Sequence, residues 1–232
     1  MDRRHFHKLC GGLLGYAAGG AAGLPSLVAA STTPYQPTQL LFEDDSPVTL
    51  DSLQTGDAFI FSYPYRTTPC FLVKLSTSAK AAGQWPGGVD DNFNVVAYSA
   101  ICSHKMSHPA KPISHISYRH EPVTFYDKEG NRQDKAGLIS CCSERSVYDP
   151  SNAGEVLSGP APVPLAAITL DVDDNGVLSA VGSVGPDQYD RFLDKFGFRL
   201  AMEYGVSDVR ARTGETTTVV AAADFSKQQV LC

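Results

Sequence analysis

Cys102-Ser103-His104 and, after residues 105–140, Cys141-Cys142-Ser143-Glu144-Arg145-Ser146-Val147-Tyr148-Asp149 are the stretches that decide how this chain reads. Each is short, rich in soft or borderline donors, and flanked by strand-like residues. Asn94-Val95-Val96-Ala97-Tyr98 leads into the first, and Ser146-Val147-Tyr148 leads out of the second. Thiolate and imidazole side chains on two separate loops are what an iron or zinc site needs. Further on, Gly159-Pro160-Ala161-Pro162-Val163-Pro164-Leu165 forms a proline-rich loop. Between the elements, Gly, Pro and Asp punctuate short runs that alternate or are continuously apolar. That pattern predicts many short strands, hence an all-β class.

Over residues 93–182 the order of these parts resembles the Rieske [2Fe–2S] iron–sulfur family. Its first box reads C-x-H-x-G-C and its second C-P-C-H-G-S-x-Y/F-D. On that pattern Cys102 and His104 match the first two ligands, Cys141 the third, and the Gly-Pro loop the segment that covers the cluster. The resemblance implies an antiparallel β base domain with a small cluster-binding subdomain, a [2Fe–2S] cofactor, and transfer of single electrons between redox partners. It assigns Ser146 and Tyr148 as hydrogen-bond donors to cluster sulfur and a ligand thiolate, and Pro160 as a covering residue.

Three departures stand out. Glu144 occupies the place of the family's second histidine. Ser107 and Ser143 replace the two cysteines that form a disulfide in the family. The gap from His104 to Cys141, residues 105–140, is 36 long, well beyond the family's usual spacing. The chain has six histidines, His5, His7, His104, His108, His115 and His120. A second imidazole ligand would therefore have to come from the gap, through His108, His115 or His120. Glu144 ranks first as fourth donor, ahead of those histidines and then Cys142. A carboxylate donor adds one formal negative charge relative to imidazole. It would move the site down from the range of about −150 to +300 mV typical of two-histidine centres, towards the −400 mV of plant-type ferredoxins. Two other readings use the same residues: a module that has lost its cluster and serves as an interaction subunit, and a mononuclear zinc or iron site.

Hydrophobic residues make up 43% and charged residues 19%, a globular composition. A formal charge of −6 disfavours a nucleic-acid partner. Residues 1–30 carry Arg3-Arg4-His5-Phe6-His7-Lys8, a Gly/Ala-rich apolar run and Val28-Ala29-Ala30. This resembles a twin-arginine export signal, either cleaved or kept as a membrane anchor, and implies the periplasm. Residues 31–47 read as a linker and 48–185 as the Rieske-like domain, with cluster loops at 101–109 and 138–150 and the Pro loop at 159–165. Residues 186–232 read as a helix-and-strand extension: a helix begins near Pro186, with strands at 199–204, 216–222 and 229–232. Asp174-Asn175-Gly176 predicts a hairpin turn, and Trp85 a loop residue folded onto the core. Cys70, Cys142 and Cys232 are open to disulfide pairing in an oxidising compartment. No nucleophile–base set or phosphate loop is evident. The expected role is an electron-transfer subunit of an oxidoreductase complex, without substrate chemistry of its own. Its partner would be a quinol-oxidising cytochrome complex, a c-type cytochrome or a molybdenum oxidase.

Overall fold

The computed structural model describes residues 32–232, so the export signal expected over 1–30 lies outside the described residues. Among those residues the chain is nearly all β. Its strands are β1 (Thr32–Leu41), β2 (Ala58–Ser62), β3 (Pro69–Lys74), β4 (Val95–Ser99), β5 (Ile116–Arg119), β6 (Val123–Tyr126) and β7 (Arg132–Lys135). There follow β8 (Leu138–Cys141), β9 (Ser146–Asp149), β10 (Glu155–Ser158), β11 (Ala167–Val172), β12 (Leu178–Val184), β13 (Thr216–Thr218) and β14 (Val220–Ala221). A single 3-10 turn at Leu50–Ser52 and two α-helices, α1 (Tyr189–Tyr204) and α2 (Ala222–Phe225), complete the set.

The main sheet runs β13-β1-β12-β11-β4-β3-β2-β14. Its pairings are antiparallel except that of β1 with β13. The two edge strands are consecutive in the chain, separated only by the buried Val219. One residue spans only about 3.4 Å, so the sheet must curl until its edges meet. Its inner face accordingly fuses into one apolar cluster, with Leu40, Phe61, Leu72, Ala97, Ile168 and Ala180 drawn from six strands. Strand β3 is buried on both sides: Cys70 and Leu72 point into that cluster, while Phe71 and Val73 join a second one outside it. On this outer face packs a four-stranded sheet, β10-β9-β8-β5, through Ile116, Ile139, Tyr148 and Val156. The base domain and smaller subdomain expected from the sequence are both present, and both candidate loops belong to the smaller sheet or lead into it.

Three expectations are corrected. The stretch read as a linker over 31–47 is largely β1. Its Thr and Tyr residues favour a pleated strand, and Pro34 and Pro37 fall where the pairing with β12 shifts register between Pro34 and Thr38. A proline offers no N–H to a ladder and is accommodated at such an irregularity. Residues 199–204, read as a strand, continue α1. Tyr189, Phe192, Leu193 and Leu200 recur at helical spacing on its buried face, and Gly205 caps it at φ 62°, donating its N–H to Ala201 O. Residues 229–232 form no strand; Gln229 makes a single parallel bridge to Ser114.

Other expectations hold. The Asp174-Asn175-Gly176 turn joins β11 to β12, with Gly176 at φ 77°. Trp85 is 3% exposed and packs on Tyr98. The long gap between the boxes contains β5 and a separate hairpin, β6–β7, whose turn is tied by Asp127 accepting from the N–H groups of Glu129 and Asn131.

Candidate metal centre

The first loop leaves β4 of the main sheet and enters β5 of the small one, so Cys102 and His104 sit at the junction of the two layers. The second loop is the four-residue tip of the β8–β9 hairpin. Cys141 ends one strand, Ser146 begins the next, and the two are direct cross-strand partners. The two loops share a single small hollow, lined by Cys102, His104, Cys141, Glu144, Ser107 and Ser146 among others.

The four donors stand as two pairs. Cys102 and Cys141 are each 2% exposed, and each is the largest influence on the other's ionisation. His104 Nδ1 lies 3.1 Å from Glu144 Oε2, with side chains 26% and 34% exposed. Lys105 forms an ion pair with the other carboxylate oxygen of Glu144. Among the described residues no group of three or more His, Cys, Asp or Glu side chains is placed to hold a metal ion.

The surroundings of the sulfurs favour negative charge. Hydrogen bonds from Cys141, the Tyr148 hydroxyl and the backbone N–H groups of His104 and Lys105 outweigh burial and bring the Cys102 thiol down to about 6. The same contact with Cys102, and then burial, push Cys141 upward, although the Ser143 N–H and Ser107 hydroxyl bond to it. Tyr148 Oη lies 3.2 Å from Cys102 Sγ and accepts from the Ser103 N–H at 3.1 Å. Ser146 is 1% exposed and lines the hollow, and its hydroxyl has no partner. For Glu144, first the hydrogen bond from Lys105 and then its charge and that of His104 hold the carboxyl below its ordinary value.

Backbone geometry preserves what the side chains depart from. The positions that the Rieske pattern gives to glycine are Met106 and Arg145, and both adopt positive φ, 61° and 59°. Non-glycine residues in that region are uncommon and cluster where function constrains the chain. Gly159, at φ 83°, packs so tightly on the second loop that a Cβ there would lie 2.4 Å from Arg145 O. The first loop is pinned on two sides: Ser103 Oγ donates to Val163 O of the Pro loop at 2.6 Å, and Gln188 Nε2 donates to Ser103 O at 2.8 Å. Pro160 itself is exposed and does not line the hollow.

The remaining fourth-donor candidates lie elsewhere. Cys142 is joined to Cys232 in a disulfide, and Cys70 is a buried free thiol. His108 is wedged against Phe192 and Phe196 with Nδ1 on Met106 O. His115 lines a different hollow with His108, and His120 lies against Gly56. Lys105 and Gln188 were not found from sequence, and the Cys142–Cys232 bond is one of the pairings the sequence left open. Lys105 had a signal in its place next to His104, but Gln188 is distant in the chain and carries none.

No family model matches the chain. Among solved structures, the soluble domain of the Rieske protein II (soxF) from Sulfolobus acidocaldarius is similar, with 25% sequence identity. The match covers 64% of this chain and 78% of that one, with a TM-score of 0.45.

Proposed function

We propose that this protein is a Rieske-type carrier of single electrons, with a [2Fe–2S] cluster held by Cys102, Cys141, His104 and Glu144. The observation that carries this is the arrangement of the donors as two facing pairs in one hollow. A binuclear cluster takes two protein donors per iron, whereas a mononuclear ion needs three or four around one point. The orphaned Ser146 hydroxyl and the donors directed at both cysteines fit a group that brings sulfur and negative charge. When bound, such a cluster supplies one-electron oxidation and reduction.

The chain's own residues give that chemistry a direction. The cysteine pair is buried beneath Tyr148 and the small sheet, so water is kept from that side. The partly exposed His104–Glu144 pair forms the edge at which a partner protein can approach. Lys105 offsets the additional negative charge of Glu144. The disulfide supports an oxidising compartment, in keeping with export to the periplasm by the twin-arginine route. The partners would be a quinol-oxidising cytochrome complex, a c-type cytochrome or a molybdenum oxidase. Among the described residues no helix is long and apolar enough to cross a membrane.

The test is iron and acid-labile sulfide analysis with electron paramagnetic resonance on reduced protein. Two irons and two sulfides per chain are expected, together with a signal lost in Cys102→Ser and Cys141→Ser and altered in Glu144→Ala. Colourless protein that takes up no iron or sulfide on reconstitution would overturn the proposal. One observation favours the cluster-free module instead: Lys105, Glu144 and His104 satisfy one another without a metal. The same iron and sulfide measurement separates the two.

A further inference from the structure

On the other face of the β8–β9 hairpin lies a second hollow that the redox reading does not use. Along these strands Cys141 and Ser146 are one cross-strand pair, and Ser140 and Val147 are the next. Successive residues alternate faces, so Ser140 and Val147 point away from the cysteines. The β6–β7 hairpin lies over them through Val123 and Phe125, and the space between is a cavity of about 400 Å³. That size is within the range of about 300–1,000 Å³ typical of small-molecule pockets.

The hollow is held open by its frame. Lys135 of β7 is ion-paired at 2.5 Å with Asp149, whose side chain is 7% exposed. Ser158 Oγ donates to Tyr126 O at 2.5 Å, fastening the tip of the hairpin to β10. Cys232, held by its disulfide to Cys142, forms part of the wall. The hairpin therefore cannot settle onto the sheet without breaking these ties.

Three polar groups on the lining lack partners: the Ser146 hydroxyl, shared with the cysteine-lined hollow, Ser140 and Arg145. Ser140 is 1% exposed and its hydroxyl has no hydrogen bond, a buried group that a ligand oxygen would satisfy. Arg145 also lines the cavity, is exposed, and forms no ion pair among the described residues. Val123, Phe125 and Val147 make the apolar part of the lining, while the hydroxyls of Thr124 and Ser158 are already engaged with Asp134 and Tyr126 O. An apolar body with an anionic head matches this combination: hydrocarbon for the walls, and negative charge for the unpaired guanidinium. We propose that the cavity between the β6–β7 and β8–β9 hairpins is a binding site for a small aromatic or aliphatic carboxylate, with Arg145 as its anion anchor and Ser140 as its hydrogen-bond partner.

The experiment is isothermal titration of the full chain with 2-naphthoate, and with 2-naphthamide as its uncharged counterpart. One naphthoate per chain is expected. Arg145→Asn, a residue that tolerates the left-handed backbone at this position, should weaken naphthoate at least tenfold and leave the amide within twofold. Val147→Phe, which fills the cavity, should abolish binding of both, with circular dichroism confirming that the variant is folded. The absence of saturable binding at millimolar naphthoate would overturn the proposal. So would binding unchanged in Arg145→Asn, which would place the ligand elsewhere, for example on the exposed Phe198 and Met202 of α1.

Discussion

Replacing Gly159 with alanine tests how the Pro loop supports the second box. At φ 83° an L-residue is strained, and the added Cβ would lie 2.4 Å from Arg145 O and 2.6 Å from Ser146 Cα. Both neighbours are backbone, so no flexible side chain can swing away. The left-handed conformation costs roughly 1–2 kcal/mol, and overpacking a fixed site adds about 1–3 kcal/mol, giving about 3 kcal/mol in all. For a chain of this size each kcal/mol lowers the melting temperature by about 2–4 °C, so Gly159→Ala should melt about 6–12 °C below the parent. Gly205→Ala is the control: its φ is 62° and nothing lies within 4 Å of the new Cβ. It should cost about 1 kcal/mol, from conformation alone. Differential scanning calorimetry of the three proteins decides the matter. If Gly159→Ala melts with Gly205→Ala, the contact with Arg145 and Ser146 does not support the loop, and the packing account is wrong.

Lys105→Gln should lower the midpoint potential by tens of millivolts, because the Glu144 charge loses its compensator, while Lys105→Arg should preserve it; protein-film voltammetry reads both. Tyr148→Phe should also lower the midpoint by tens of millivolts, since the hydroxyl at 3.2 Å from Cys102 Sγ would no longer stabilise added charge; an unshifted value in the same voltammetry would remove that role. The Cys142→Ser/Cys232→Ser double variant opens a bond between residues 90 apart, which the chain-entropy account values at about 4.6 kcal/mol. It should lower the urea midpoint of the iron-free protein, and a reductant should then have no further effect. Burial holds the His108 imidazole below its ordinary value of 6.5. The unfolded chain therefore takes up the proton first, and stability should fall as pH drops below about 6.5; urea titrations at pH 5 and 7 should show that loss shrinking in His108→Phe.

The all-β class was legible in the sequence, and so was the grouping of the candidate donors around one hollow. Cys102, His104, Cys141 and Glu144 could be read because each keeps a fixed offset within a short loop, and a hairpin tip or a strand exit preserves such offsets in space. Strands such as β3 and β11 were visible as apolar runs bounded by Gly, Pro or Asp. Strand β1 was hidden by two prolines, which are accommodated because β1 carries extra residues between Pro34 and Thr38, opposite Gly182 and Ala180 of β12. The second half of α1 was hidden because Gly197 interrupts a run whose aromatic residues suit either period. The Cys142–Cys232 bond was left open among three thiols, since pairing over such a distance depends on where the chain returns, not on spacing.

The short run from Thr216 to Ala221 has a further consequence. Because β13 and β14 flank Val219 and lie on opposite margins of the eight-stranded sheet, this hexapeptide is the clasp that shuts the barrel. An open sheet margin is a template for pairing with other chains, and here a single segment conceals both at once. Loss of these six residues would unseal β1 and β2 together and leave a molecule with two adhesive rims, prone to add strands from its neighbours.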